Sequence, residues 1–121
     1  MNGSQHCEYS AADFRATVFE NTDTRLIHVS GYGLCASAGW SLELVAANPG
    51  VVPHPESLWL ELRETPPRTD RPGALTECHV EAMIEDAHAQ EIVIRFRWRQ
   101  GFVIPLRERA DALRERVGAA R

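Results

Sequence analysis

Ten ionisable side chains fall at strand positions that would share a polar face: His28, Glu43, Glu61, Arg63, Glu77, His79, Glu81, Arg95, Arg97 and Arg99. On a solvated sheet such residues form cross-strand ion pairs worth roughly 0.2–1 kcal/mol each. Lining a cavity, the same set does chemistry. Arginines grip a carboxylate or phosphate through charge-assisted hydrogen bonds, and His/Glu pairs move protons. His28, Glu43, His79 and Glu81 are therefore the candidate acid–base residues. Arg95 and Arg97, with Trp59, are the candidate ligand-binding residues.

Cysteine and histidine offer less. Cys7, Cys35 and Cys78 are too few and too scattered for a disulfide framework, so free thiols are expected. The adjacent pair Cys78-His79 would point to opposite faces of a strand and could not share one ion. With no C-x-x-C or H-x-x-x-H spacing, no metal or cofactor is predicted. Cys35, in the turn GLCASAG, could serve as a nucleophile with His28 or His54 as base, but nothing places them together. Gly31-Tyr32-Gly33 lacks the following helix and the longer glycine pattern of a phosphate-cradling loop.

The elements that must hold these groups are mostly strands. Arg25–Ala47 reads as a β-hairpin that would pair Ile27 with Leu44, Val29 with Leu42 and Gly31 with Trp40. That register sets His28 opposite Glu43 on the other face. Thr76–Ile84 and Ile92–Arg99 read as a second hairpin, pairing Ala82 with Ile94, Val80 with Phe96 and Cys78 with Trp98. It would set Glu81 opposite Arg95, His79 opposite Arg97 and Glu77 opposite Arg99. Both faces agree on one register. Trp98 then belongs to the core. Trp59 lies on the polar side of the alternating strand Ser57–Thr65, whose leucines 58, 60 and 62 face the other way.

Around these elements, residues 1–10 read as a mobile tail and residues 11–121 as a single domain. Phe14, Ala16 and Val18 alternate as a strand that would pair with Arg25–Ser30, although Ser10 could also cap a short helix. Asn48–Glu56 and Pro66–Gly73 are proline-rich loops. Phe102–Ile104 is a short strand. Leu106, Ala110, Leu113 and Val117 recur at helical spacing behind Pro105, which predicts a C-terminal helix over residues 106–117. The fold class expected is mainly β: an antiparallel β-sandwich or partly open barrel of six to seven strands.

The run GYGLCASAGWSLEL…NPGVVPHPESLWLELRETPP resembles a group of small actinobacterial β proteins. The resemblance covers roughly residues 26–106 and is carried by the Gly-Trp strand start and the Pro-x-x-Leu-x-Leu-x-Leu run. It implies a β fold and brings no catalytic residues.

Composition narrows the function classes. A net charge of −4 argues against nucleic-acid binding, and all 13 basic residues are arginine. No stretch approaches the roughly 20 apolar residues of a membrane span, and the N-terminus lacks the pattern of a signal peptide, so a cytoplasmic location is expected. The leading expectation is a small soluble intracellular binding or interaction domain for a small molecule or protein. It would use the Trp59 side of the sheet or an exposed strand edge. The alternative is a small cofactor-independent enzyme of isomerase, cyclase or hydrolase type with a His/Glu/Arg-lined pocket. A third reading is homo-oligomer assembly through edge strands.

Overall fold

The computed structural model describes residues 6–20, 22–47, 56–69, 73–86 and 88–108. Among these residues seven strands form one sheet: β1 (Phe14–Glu20), β2 (Arg25–Cys35), β3 (Ser41–Ala46), β4 (Ser57–Thr65), β5 (Thr76–Glu85), β6 (Glu91–Arg95) and β7 (Phe102–Glu108). Their order is β3-β4-β6-β7-β1-β2-β5. The end strands β3 and β5 lie against each other, so the sheet curls into a nearly closed barrel. The sheet is mixed rather than antiparallel, because β1–β7 and β4–β6 run parallel.

Alternation in the sequence becomes inside and outside. Val18, Ile27, Val29, Leu60, Leu62, Ile92 and Ile94 are fully or almost fully buried and fill the barrel. Burying side chains of this size stabilises by roughly 1.5–3 kcal/mol each. The β1–β2 hairpin forms as the sequence predicts, from Phe14 opposite Gly31 to Glu20 opposite Arg25. Ser10 caps only a single 3-10 turn, Ala11–Asp13, its hydroxyl accepting from the Ala12 amide.

Neither of the other two expected hairpins exists. β2 pairs with β5, with Val29 opposite Ala82 and Tyr32 opposite His79, and β3 pairs with β4 instead. β5 thus occupies the place beside β2 that the sequence assigned to β3. β6 pairs with β4 and β7, not with β5, so Glu81–Arg95, His79–Arg97 and Glu77–Arg99 are not opposed. Every strand has an apolar inner face, so almost any antiparallel pairing matches apolar to apolar.

Two further expectations give way at the ends of the chain. His6–Ser10 is held to the barrel rather than hanging as a tail: Cys7 and Tyr9 are buried, and Glu8 and Leu34 exchange two backbone hydrogen bonds of 2.9 Å. Residues 106–108, expected to open a helix, belong to β7. Leu106 continues the inward alternation of Phe102 and Ile104 and sits opposite Ala16 of β1. Strand pairing along β1 overrides the helical spacing there. The remainder of the expected helix lies outside the described residues.

The glycines of Gly31-Tyr32-Gly33 have a packing role. A Cβ at Gly31 would overlap the Phe14 ring, and one at Gly33 would overlap the Tyr9 ring. Each ring occupies the space that a side chain on β2 would need, and Tyr32 between them points outward.

Candidate functional site

Two groupings of polar side chains emerge, one on the outer wall and one at the end of the barrel. On the wall, alternation turns Arg15 of β1, His28, Ser30 and Tyr32 of β2, and His79 and Glu81 of β5 outward. Pairing then sets them in rows: Arg15 opposite Ser30, Ser30 opposite Glu81, and Tyr32 opposite His79. Arg15, Ser30, Tyr32, His79 and Glu81, with Asp13, line an open groove of about 420 Å³.

Most of the groove's polar groups are already hydrogen-bonded. Tyr32 Oη donates to Asp13 Oδ1 at 3.1 Å, and that bond with the nearby carboxylate charge raises the Tyr32 pKa. His28 Nε2 lies 2.8 Å from Glu81 Oε1. The His79 ring stands 5.6 Å from the Tyr32 ring, and its Nε2 lies 3.5 Å from Glu77 Oε1. Arg15 is exposed and has no ion-pair partner among the described residues.

Of the sequence-predicted acid–base residues, His28, His79 and Glu81 therefore gather at one place, through the β2–β5 pairing. Glu43 does not join them: it is exposed on β3, opposite Arg63. His54 lies outside the described residues. The expected ligand-binding residues sit elsewhere on the barrel. The Arg95 guanidinium lies 4.9 Å from the centre of the half-buried Trp59 ring, a cation–π contact. Glu61 accepts from Arg63 Nε at 3.1 Å and from Arg97 Nε at 3.0 Å. Its pKa is lowered chiefly by the Arg63 bond, against a desolvation that pushes it up, with the Arg97 charge assisting.

At the barrel end, Glu64 is the grouping's centre and was not singled out from the sequence. It extends the inward alternation Leu58, Leu60, Leu62 by one step, so a carboxylate sits where the pattern calls for another apolar side chain. Only 4% of its side chain is exposed. Oε1 lies 2.7 Å from His6 Nδ1, while Oε2 accepts from the Cys7 amide at 2.9 Å and from Tyr9 Oη at 2.6 Å. Burial first, then the Glu64 hydrogen bond and charge, push the Tyr9 pKa far up. His6 stacks on Trp98 with ring centres 4.0 Å apart. Trp98 is half-buried, packing against the core rather than within it.

The same end carries a correction to the cysteine chemistry. Cys7 and Cys35 form a disulfide across 28 residues of sequence, leaving Cys78 as the free thiol. Cys35 is consequently no nucleophile. Cys78 points inward, and burial raises its pKa, which disfavours the reactive thiolate. His79 points outward, so the two do not converge.

No protein-family model, curated protein or solved structure matches the chain. Among the described residues no helix is long and apolar enough to cross a membrane.

Proposed function

We propose that this chain is a ligand-binding domain whose outer groove on β1, β2 and β5 takes a small organic anion with a carboxylate or phosphate group. The observation that carries the reading is the state of Arg15. The groove's carboxylates, Asp13 and Glu81, are engaged by Tyr32 and His28, whereas the Arg15 guanidinium has no ion-pair partner among the described residues. It lies one strand from the Ser30 hydroxyl, and an anion bound there would gain a charge-assisted contact worth roughly 1.5–3 kcal/mol. Tyr32 and His79 supply a ring wall for the rest of the molecule. This moves the binding surface expected around Trp59 to the other side of the barrel.

A second reading rests on His28 and Glu81. A carboxylate 2.8 Å from an imidazole orients the ring and supports a general base, which keeps a cofactor-independent enzyme as the alternative. Assembly through edge strands would use β3 and β5, the two ends of the sheet, which among the described residues lie close to each other without pairing. The Cys7–Cys35 bond favours an oxidising compartment over the cytoplasmic location expected from the sequence.

The test is an NMR titration with succinate and with inorganic phosphate. Amide shifts confined to Ser30–Tyr32 and His79–Glu81, lost in Arg15→Ala, are expected. Unshifted spectra at millimolar concentrations of both anions would end the reading.

A further inference from the structure

The His6–Ser10 segment is attached to the barrel differently from every strand. No ladder continues through it. Its backbone makes a single isolated bridge to β2, between Glu8 and Leu34. Its other attachments are the Cys7–Cys35 bond, the three contacts on Glu64, the stack of His6 on Trp98, the Tyr9 ring packed against Phe14, Phe96 and Trp98, and a 2.9 Å hydrogen bond from Arg99 Nη1 to the Tyr9 carbonyl. The β1–β7 ladders close without it. The segment runs straight into the 3-10 turn, where the Asp13 amide donates to the Ser10 carbonyl at 3.0 Å.

We infer that the Cys7–Cys35 bond is a redox latch: its reduction releases residues 6–13 from the end of the barrel while the barrel itself stays folded. The reductant is a dithiol. One of its thiolates attacks a sulfur of the bond, leaving a mixed disulfide and a protein thiolate that takes up a proton. The second reductant thiol loses its proton and displaces the other protein sulfur, so the reductant ends as a disulfide and the protein as two thiols. Cys35 has no exposure, so Cys7, at 4% and set between exposed His6 and Glu8, is the sulfur met first.

Removing the bond leaves the segment held by the Glu64 contacts and the Tyr9 ring, with one isolated backbone bridge and no ladder. Segments held in this way open with a smaller free energy than the strands of a core. Release also reaches the groove, because Asp13 sits at the end of the 3-10 turn and holds the Tyr32 hydroxyl. That consequence rests on the proposed ligand reading; the opening itself does not.

Hydrogen exchange read by mass spectrometry tests the latch on the full chain, with and without dithiothreitol, the two new thiols being confirmed by alkylation. The expected result is exchange at least about tenfold faster at the amides of Cys7, Glu8, Asp13 and Leu34, with Leu60 and Ile92 unchanged. The double variant Cys7→Ser/Cys35→Ser should show the same pattern without reductant. Unchanged protection of the segment in fully reduced protein would overturn the inference. So would loss of protection at Leu60 and Ile92 together with the segment, since the bond would then staple the whole fold. Because no ligand is added, a failed anion titration leaves this result readable.

Discussion

Glu64 Oε2 accepts the Tyr9 hydroxyl at 2.6 Å, joining the last inward position of β4 to a segment 55 residues earlier in the chain. Both side chains are almost wholly buried, and the same carboxylate also takes the Cys7 amide. Deleting the acceptor strands two donors away from water, and each such orphan costs roughly 1–3 kcal/mol. Glu64→Ala should therefore lower unfolding stability by on the order of 2–4 kcal/mol in urea denaturation. Glu64→Gln, which keeps one acceptor oxygen, should lose about half of that. A double-mutant cycle with Tyr9→Phe measures the pair directly, and additive effects would mean that the hydrogen bond contributes nothing of its own.

The disulfide gives a chemical count. Denatured without reduction, the protein should expose one reactive thiol per chain, Cys78; three would mean that Cys7 and Cys35 are unpaired. Because the bond latches the His6–Ser10 segment rather than the strands, Cys35→Ser should lower the stability of the barrel by well under the roughly 2–4 kcal/mol usual for a native bridge. The measurement is the shift in the urea midpoint against wild type at unchanged slope.

Within-strand pattern was legible in the sequence, and strand partners were not. Phe14-Ala16-Val18, Leu58-Leu60-Leu62 and Ile92-Ile94 all face inward as their alternation requires. The β1–β2 hairpin was also legible, because only a short turn separates its strands. Pairing of β2 with β5 spans a separation of about 50 residues and leaves no local mark. The sequence-adjacent alternatives satisfied the same rule of apolar against apolar, so facial consistency could not choose between them. His28, His79 and Glu81 were singled out because outward polar positions survive a change of partner. Glu64 is illegible for the opposite reason: the apolar alternation of β4 ends at Leu62, and a charge one step further carries no mark of an inward residue. The disulfide is illegible because Cys7 lies in a polar N-terminal segment without strand or helix pattern.

Gly31 and Gly33 make the packing of the two rings testable. Gly33→Ala drives a methyl group into the Tyr9 ring and Gly31→Ala into that of Phe14. Overpacking of this kind costs roughly 1–3 kcal/mol, against at most about 0.5 kcal/mol for an ordinary surface change. Both variants should melt lower than wild type. A Gly33→Ala protein as stable as wild type would show that Tyr9 does not lie on β2. Loss of Tyr9 packing should also dim the near-ultraviolet circular dichroism, as its ring sits 5.0 Å from that of Phe96.

Alkaline titration tests the buried phenol. Both tyrosines hold their phenolic protons above the ordinary tyrosine range, Tyr9 mainly through burial and Tyr32 mainly through its hydrogen bond to Asp13. A phenol whose native pKa is raised binds its proton more tightly when folded. Its stabilising contribution is complete below pH 10 and is lost as pH rises towards the native value. Stability should thus fall progressively above pH 10. Absorbance at the tyrosinate band should lag a free-tyrosine titration and then rise with unfolding. Tyr9→Phe should flatten that decline, and an unaltered alkaline limb in Tyr9→Phe would contradict the assignment.

The final prediction sets two arginines against each other. Arg15 and Arg97 are both exposed on the outer wall of the barrel, but their surroundings differ. Arg97 Nε already donates to Glu61 at 3.0 Å, in a cluster shared with Arg63. An incoming anion would have to compete with a carboxylate that is held there by two guanidinium groups. Arg15 lines the groove, whose two carboxylates, Asp13 and Glu81, are engaged by Tyr32 and His28 rather than by a guanidinium. Exposed pairs such as Arg97–Glu61 contribute no more than about 1 kcal/mol, so Arg97→Ala should leave stability within that margin. It should also leave succinate or phosphate affinity at the wild-type value. Arg15→Ala should leave stability equally intact and weaken binding about ten- to a hundredfold, the equivalent of one charge-assisted contact. Calorimetric titration of the three proteins side by side decides it. Equal losses in both variants would place the effect in net charge rather than in the groove, and a loss in Arg97→Ala alone would move the site back to the Trp59 side of the barrel.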